Sequence, residues 1–229
     1  MKVKSFLAMA FAAMLAVGTV GCSDDNDSNS NKSQGVKEVK VSSTNDSKWV
    51  YVNFETGESV EVSDRNEIKY IDVETGNVIE TATPDPSKLE GEIPAKWDIA
   101  MNGFNIRTNN GGVLLTDKTD FSALLEAPAG EYVQDKAVKA EDKVIRVDMS
   151  RMQEGIMGYV DGFINEVLCN NIKKTPTGAM PPYEYSVENP NNVFVLRLAN
   201  GDWVKIKYTD CTYGGGKKSI FLSYEYMNK

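Results

Sequence analysis

The chain has 229 residues and no histidine. That absence excludes a His-based catalytic triad, a His-ligated zinc site and an imidazole general base. Cysteine is scarce, at three, and forms no C-x-x-C pair or other metal-ligand spacing. Positive charge is outnumbered: 25 Lys+Arg stand against 33 Asp+Glu, a formal net charge of −8. An acidic chain is a poor partner for nucleic acid, whose phosphates reward a basic face. No apolar run reaches the ~20 residues of a membrane helix. There is no nucleophile elbow, no P-loop and no Gly-rich dinucleotide fingerprint.

The longest apolar stretch, Phe6 to Val17, follows Lys2 and Lys4 and precedes the small residues Gly18 to Gly21. This order is that of a secretory signal. Thr19-Val20-Gly21-Cys22 resembles a bacterial lipobox with Thr where Leu is usual. Lipidation at Cys22 is the expectation; cleavage near Gly21 by an ordinary signal peptidase is the alternative. Residues 22–47 are rich in Ser, Asn, Asp and Lys and read as a disordered tether. Ser23-Asp24-Asp25 resembles the acidic export signal of some surface lipoproteins, and equally reads as a solvated linker. Residues 48–229 form the expected folded domain.

Within that domain the pattern is mainly β, in antiparallel sheets. Trp49 to Phe54 reads as a strand, and Tyr51 to Gly57 is echoed by Tyr70 to Gly76. Trp97–Met101 and Asn105–Thr108 suggest a strand pair. Lys143–Met149 alternates, placing Ile145, Val147 and Met149 on one face and Met149 in the core. Val193–Ala199 and Trp203–Tyr208 flank Asn200-Gly201, a strong hairpin signal. Gly214-Gly215-Gly216 then turns the chain into Ser219–Tyr226, completing a meander.

One or two helices are expected. Ile156, Val160, Phe163, Ile164, Val167 and Leu168 recur at helical spacing, predicting a helix from about Gly155 to Ile172. A weaker one includes Phe121–Leu125 and stops at Pro128. Cys169 and Cys211 are expected as buried free thiols, although the compartment permits a disulfide.

Two methionines stand apart from the core-filling role usual for this residue. Met152 lies between a strand and the predicted helix. Met180 lies in the loop Thr177-Gly178-Ala179-Met180-Pro181-Pro182.

The chain resembles the HmuY family of haem-binding surface lipoproteins. The resemblance rests on Lys48-Trp49-Val50-Tyr51, Lys96-Trp97-Asp98-Ile99-Ala100 and Arg107-Thr108-Asn109-Asn110-Gly111-Gly112. Ala127-Pro128 with Tyr132, Met180-Pro181-Pro182, Asn192-Val193-Phe194-Val195, Gly201 and Lys205-Ile206 extend it. It implies a hand-like, mostly β single domain that grips haem b through two axial ligands. It implies capture of haem outside the cell, with host haemoproteins as a source, and transfer to a TonB-dependent outer-membrane receptor. It also implies an outer-membrane lipoprotein exposed at the cell surface or released from it. Without histidine, only methionine ligation fits. Met180 matches the second ligand and Met152 the first, with Met149 in reserve. A predicted helix of ~25 Å separates the two, and residues 173–179 span at most roughly 24 Å, so the returning loop must be extended. Tyr159 and Tyr183 are candidates for stacking on the ring, and Arg151 or Lys173 for pairing with the propionates.

A different class of function is a surface lipoprotein that binds glycan or a protein partner through exposed aromatics such as Trp49, Trp97 and Trp203. A hydrolase working through scattered acids has no motif in its support, so no enzyme activity is expected.

Overall fold

The computed structural model describes residues 33–179 and 182–229. Among these described residues, seventeen strands dominate. In chain order, the first eight are β1 Ser33–Ser43, β2 Lys48–Val52, β3 Ser59–Ser63, β4 Ile68–Asp72, β5 Val78–Ala82, β6 Ile99–Asn102, β7 Asn105–Thr108 and β8 Gly112–Leu115. They are followed by β9 Lys136–Val138, β10 Arg146–Asp148, β11 Ile156–Val160, β12 Gly162–Ile164, the helix α1 Glu166–Cys169, β13 Ile172–Pro176 and β14 Tyr183–Val187. The last three are β15 Phe194–Arg197, β16 Trp203–Gly214 and β17 Lys217–Met227. All pairings are antiparallel, as the sequence pattern implied.

A five-stranded sheet runs β1-β17-β16-β15-β8, and the Asn200-Gly201 hairpin and the triple-glycine turn form its centre. A four-stranded sheet, β3-β2-β6-β7, packs against it. Val50, Val52, Met101 and Ile106 share one core cluster with Ile206, Tyr208, Ile220 and Leu222. Strand β2 is buried on both faces, because Trp49 and Tyr51 point into a second cluster with Val62, Ile145 and Val160. Each large apolar side chain removed from water in this way contributes about 1.5–3 kcal/mol before entropy is counted.

The internal echo is a repeated turn. Asn53 Oδ1 accepts from the N–H groups of Glu55 and Thr56, and Gly57 N–H closes on the Asn53 carbonyl at 2.8 Å. Asp72 Oδ1 does the same for Glu74 and Thr75, and Gly76 closes on Asp72, also at 2.8 Å. Gly57 and Gly76 have φ of 77° and 76°, the left-handed region that a side chain disfavours.

Three expectations are corrected. The tether does not extend to residue 47, because Ser33–Ser43 pairs along β17, with Val39 opposite Leu222 and Val41 opposite Ile220. The free edge of β17 supplies backbone partners to a segment too polar to build a core of its own. The long helix at 155–172 is absent. In its place stand β11, β12 and the four-residue α1. Gly155, Gly158 and Gly162 each weaken a helix by ~1 kcal/mol, and Gly158 admits the close neighbours Ile68 and Asp148 on the flanking strands. Phe163 points outward beside buried Ile164, the alternation of a strand. The shorter predicted helix is a single 3-10 turn, Phe121–Ala123, capped by Asp120.

Candidate functional site

Two adjoining cavities open at one end of β17. One of about 520 Å³ lies between the β1–β2 connection, residues 146–149 and the β16–β17 turn. The other, about 370 Å³, lies between the β6–β7 turn and the β13–β14 hairpin. Asp46, Arg146 and Lys218 line both, so the two halves form one cleft of the size that binds small molecules.

Asp46 is the hinge of this wall. Arg146 donates to Asp46 Oδ2 through Nε at 3.0 Å and Nη2 at 2.6 Å, and Lys218 Nζ donates to Oδ1 at 2.9 Å. Burial would raise the Asp46 carboxyl, but Lys218 and Arg146 outweigh it and hold it below the usual carboxylate range.

The second wall is aromatic. Tyr185 on β14 packs against Phe104 with ring centroids 4.5 Å apart, and edge-on to Tyr213 at 5.6 Å. Tyr213 is half-exposed at the mouth of the first cavity. The hairpin bearing Tyr185 is closed at its far end by Thr177 N–H donating to the Pro182 carbonyl at 3.1 Å. Met180 sits in sequence inside that closure; Met180 and Pro181, like Cys22, lie outside the described residues.

The methionines divide. Met149 lines the first cavity and is 43% exposed, so it is not the core residue that alternation implied. Asp148 Oδ1 accepts from Ser150 N–H at 2.7 Å, turning the chain and ending the alternation after buried Val147. Met152 opens a 3-10 turn, is 52% exposed and lines neither half of the cleft. Its N–H donates to the Met149 carbonyl at 3.0 Å, so the two residues are one backbone turn apart.

Other candidates also separate. Tyr159 is buried in the wall of the second half. Tyr183 lies near the hairpin end, with Lys174 Nζ 3.8 Å from its ring centroid. Arg151 is engaged by Glu80 and Glu154, and Lys173 by Glu188 at 3.7 Å, and neither lines the cleft. Cys169 and Cys211 are free thiols, and burial pushes them up to about 12 and about 11. Among the described residues, no three His, Cys, Asp or Glu side chains gather as metal ligands.

Sequence reasoning missed Asp46, Arg146, Lys218, Phe104, Tyr185 and Tyr213. They come from six different strands and connections, and no local motif joins them. It also overestimated the surface aromatics. Trp49 and Trp203 are each only 2% exposed. Trp49 donates to Asp64 at 2.6 Å beneath the Arg107 guanidinium, which also stacks on Tyr51 and Trp97. The Trp97 and Arg107–Gly111 stretches that mark the resemblance therefore line a separate cavity of about 300 Å³ rather than the cleft.

The model of the HmuY protein family matches residues 45–226. The apo HmuY analogue of Tannerella forsythia is 29% identical, with a TM-score of 0.70 over 88% of this chain and 100% of that one. Apo PinO from Porphyromonas gingivitis is also 29% identical, with a TM-score of 0.70 over 86% and 99%. A protein from Bacteroides vulgatus described as HmuY-like and haem-binding is 25% identical, with a TM-score of 0.60 over 82% and 90%. No curated protein sequence matches the chain.

Proposed function

The chain belongs to the HmuY family, and from that premise we propose that it is a haem-binding surface lipoprotein that takes haem as cargo. The porphyrin lies in the cleft lined by Asp46, Arg146 and Lys218, against the Tyr185–Tyr213 wall. The observation that carries this reading is Met149: a half-exposed residue lining one half of a cleft whose other half adjoins the hairpin with Met180 in its connecting loop. Met149 and Met180 are the proposed axial ligands. Met152, the sequence-based choice, lies one turn away.

The chemistry is consistent. A thioether is a soft, neutral ligand that suits electron-rich iron, and methionine ligation raises haem potential. Ferrous haem is therefore held more tightly than ferric. A thioether has no proton to exchange near neutral pH, so mild acid competes less than it does with imidazole. Affinity comes chiefly from burying the porphyrin faces. The role is binding rather than catalysis. Anchored through Cys22, the protein collects haem outside the cell and passes it to a TonB-dependent receptor.

The test is titration of the full-length protein with haemin, with and without dithionite. The expected result is a sharpened Soret band, the spectrum of six-coordinate low-spin ferrous haem, and tighter binding when reduced. No spectral change in either state overturns the proposal.

A further inference from the structure

We infer that the hairpin-side half of the cleft is an anion seat that takes the carboxylate edge of the porphyrin and fixes its orientation. This rests on the haem reading above and goes beyond it by naming the cations.

The protein as a whole is acidic, at a formal −8, so the propionates of haem meet an unfavourable average field. The cleft is the exception. Arg146 and Lys218 share one carboxylate, Asp46, which leaves one positive charge unbalanced on that wall. Lys174, on β13, lines the same half. Its ammonium stands over the Tyr183 ring, and among the described residues it has no carboxylate within ion-pair distance. A fourth cation, Lys143, lines this half but places its ammonium beside Gly76, away from the seat. Two unbalanced charges thus face a ligand that carries two carboxylates on one edge.

The other half differs. There a second carboxylate, Asp148, joins Asp46 in the lining, and Met149, Ile68 and Tyr213 supply apolar surface. Asp148 is itself occupied, accepting from the Tyr70 hydroxyl at 2.8 Å. A porphyrin bridging the cleft therefore points its acidic edge toward Phe104 and Lys174 and its apolar edge toward Met149. This replaces Arg151 and Lys173, which are spent on Glu80, Glu154 and Glu188.

The experiment compares haemin with haemin dimethyl ester on the full-length protein and on Lys174→Glu, at low and high salt. Lys174 is exposed on a hairpin, so its replacement leaves the core intact. Haemin is expected to bind about tenfold more tightly than the diester at low salt, with the gap closing as salt screens the charges. Lys174→Glu is expected to weaken haemin about tenfold and leave the diester unchanged. Equal affinity for the two ligands, or equal loss of both in the variant, overturns the anion seat while the haem reading stands. Binding of neither ligand overturns both.

Discussion

Arg146 grips Asp46 through two nitrogens at 3.0 and 2.6 Å, across 100 residues of sequence. With Lys218 on the other oxygen, this contact ties the β1–β2 connection, β10 and β17 at the centre of the cleft. Asp46→Ala leaves two partly buried cations facing each other without a counter-charge. The expected loss is about 1–3 kcal/mol, below the 3–5 kcal/mol of a fully buried pair because Arg146 keeps contact with water. Urea denaturation at pH 7 measures it, and an unchanged midpoint contradicts the role given to this contact.

The two methionines near the cleft make a sharper comparison. Met149 lines the cavity and Met152 does not. Met149→Ala is expected to turn the six-coordinate ferrous spectrum into a five-coordinate one and to weaken binding at least about tenfold, with Met180→Ala behaving alike. Met152→Ala should leave spectrum and affinity close to wild type. The reverse pattern returns the assignment to Met152.

Asp98 controls a pH response away from the cleft. Burial pushes its carboxyl up to about 6, although Oδ2 accepts from Phe54 N–H at 2.7 Å, and the charges of Glu55 and Asp202 add to the rise. Because the folded value exceeds the unfolded 3.8, the native state holds the proton more tightly. Its stabilising effect is complete below about 3.8 and is lost as pH rises through about 6. Asp98→Asn keeps an acceptor for Phe54 and removes the buried charge. The variant is expected to gain on the order of 1–3 kcal/mol at pH 7 and to flatten the stability profile between pH 4 and 6. A pH profile parallel to wild type contradicts this.

What could be read in the sequence was local. The Asn200-Gly201 hairpin, the triple-glycine turn and the doubled Asn53 and Asp72 turns each depend on a few adjacent residues, and all form. The cleft depends on residues 46, 104, 146, 185, 213 and 218 meeting through sheet pairing, which no spacing rule encodes. Of the candidate ligands, Met149 was visible but was drawn toward the core by the Ile145 and Val147 alternation. The missing helix has a different cause. Strand β11 is buried on both faces, so its apolar run lost the two-residue period and imitated a helical one.

Gly158 separates the two readings of that segment by experiment. In a helix, Gly158→Ala gains up to about 1 kcal/mol, since alanine is the better helix former. In the structure, Gly158 is paired with Tyr70 on one side and Asp148 on the other. An added Cβ meets Ile68 Cγ2 at 2.8 Å, Asp148 Cβ at 2.9 Å and Tyr70 Cε1 at 3.4 Å. Two of these distances require neighbours on flanking strands to shift, and overpacking of this kind costs about 1–3 kcal/mol. For a domain of this size each kcal/mol lowers Tm by roughly 2–4 °C. Thermal unfolding of Gly158→Ala should therefore show a lower Tm. Because Asp148 is followed by Met149, the variant should also weaken haemin binding, whereas a raised Tm contradicts the sheet that positions the cleft.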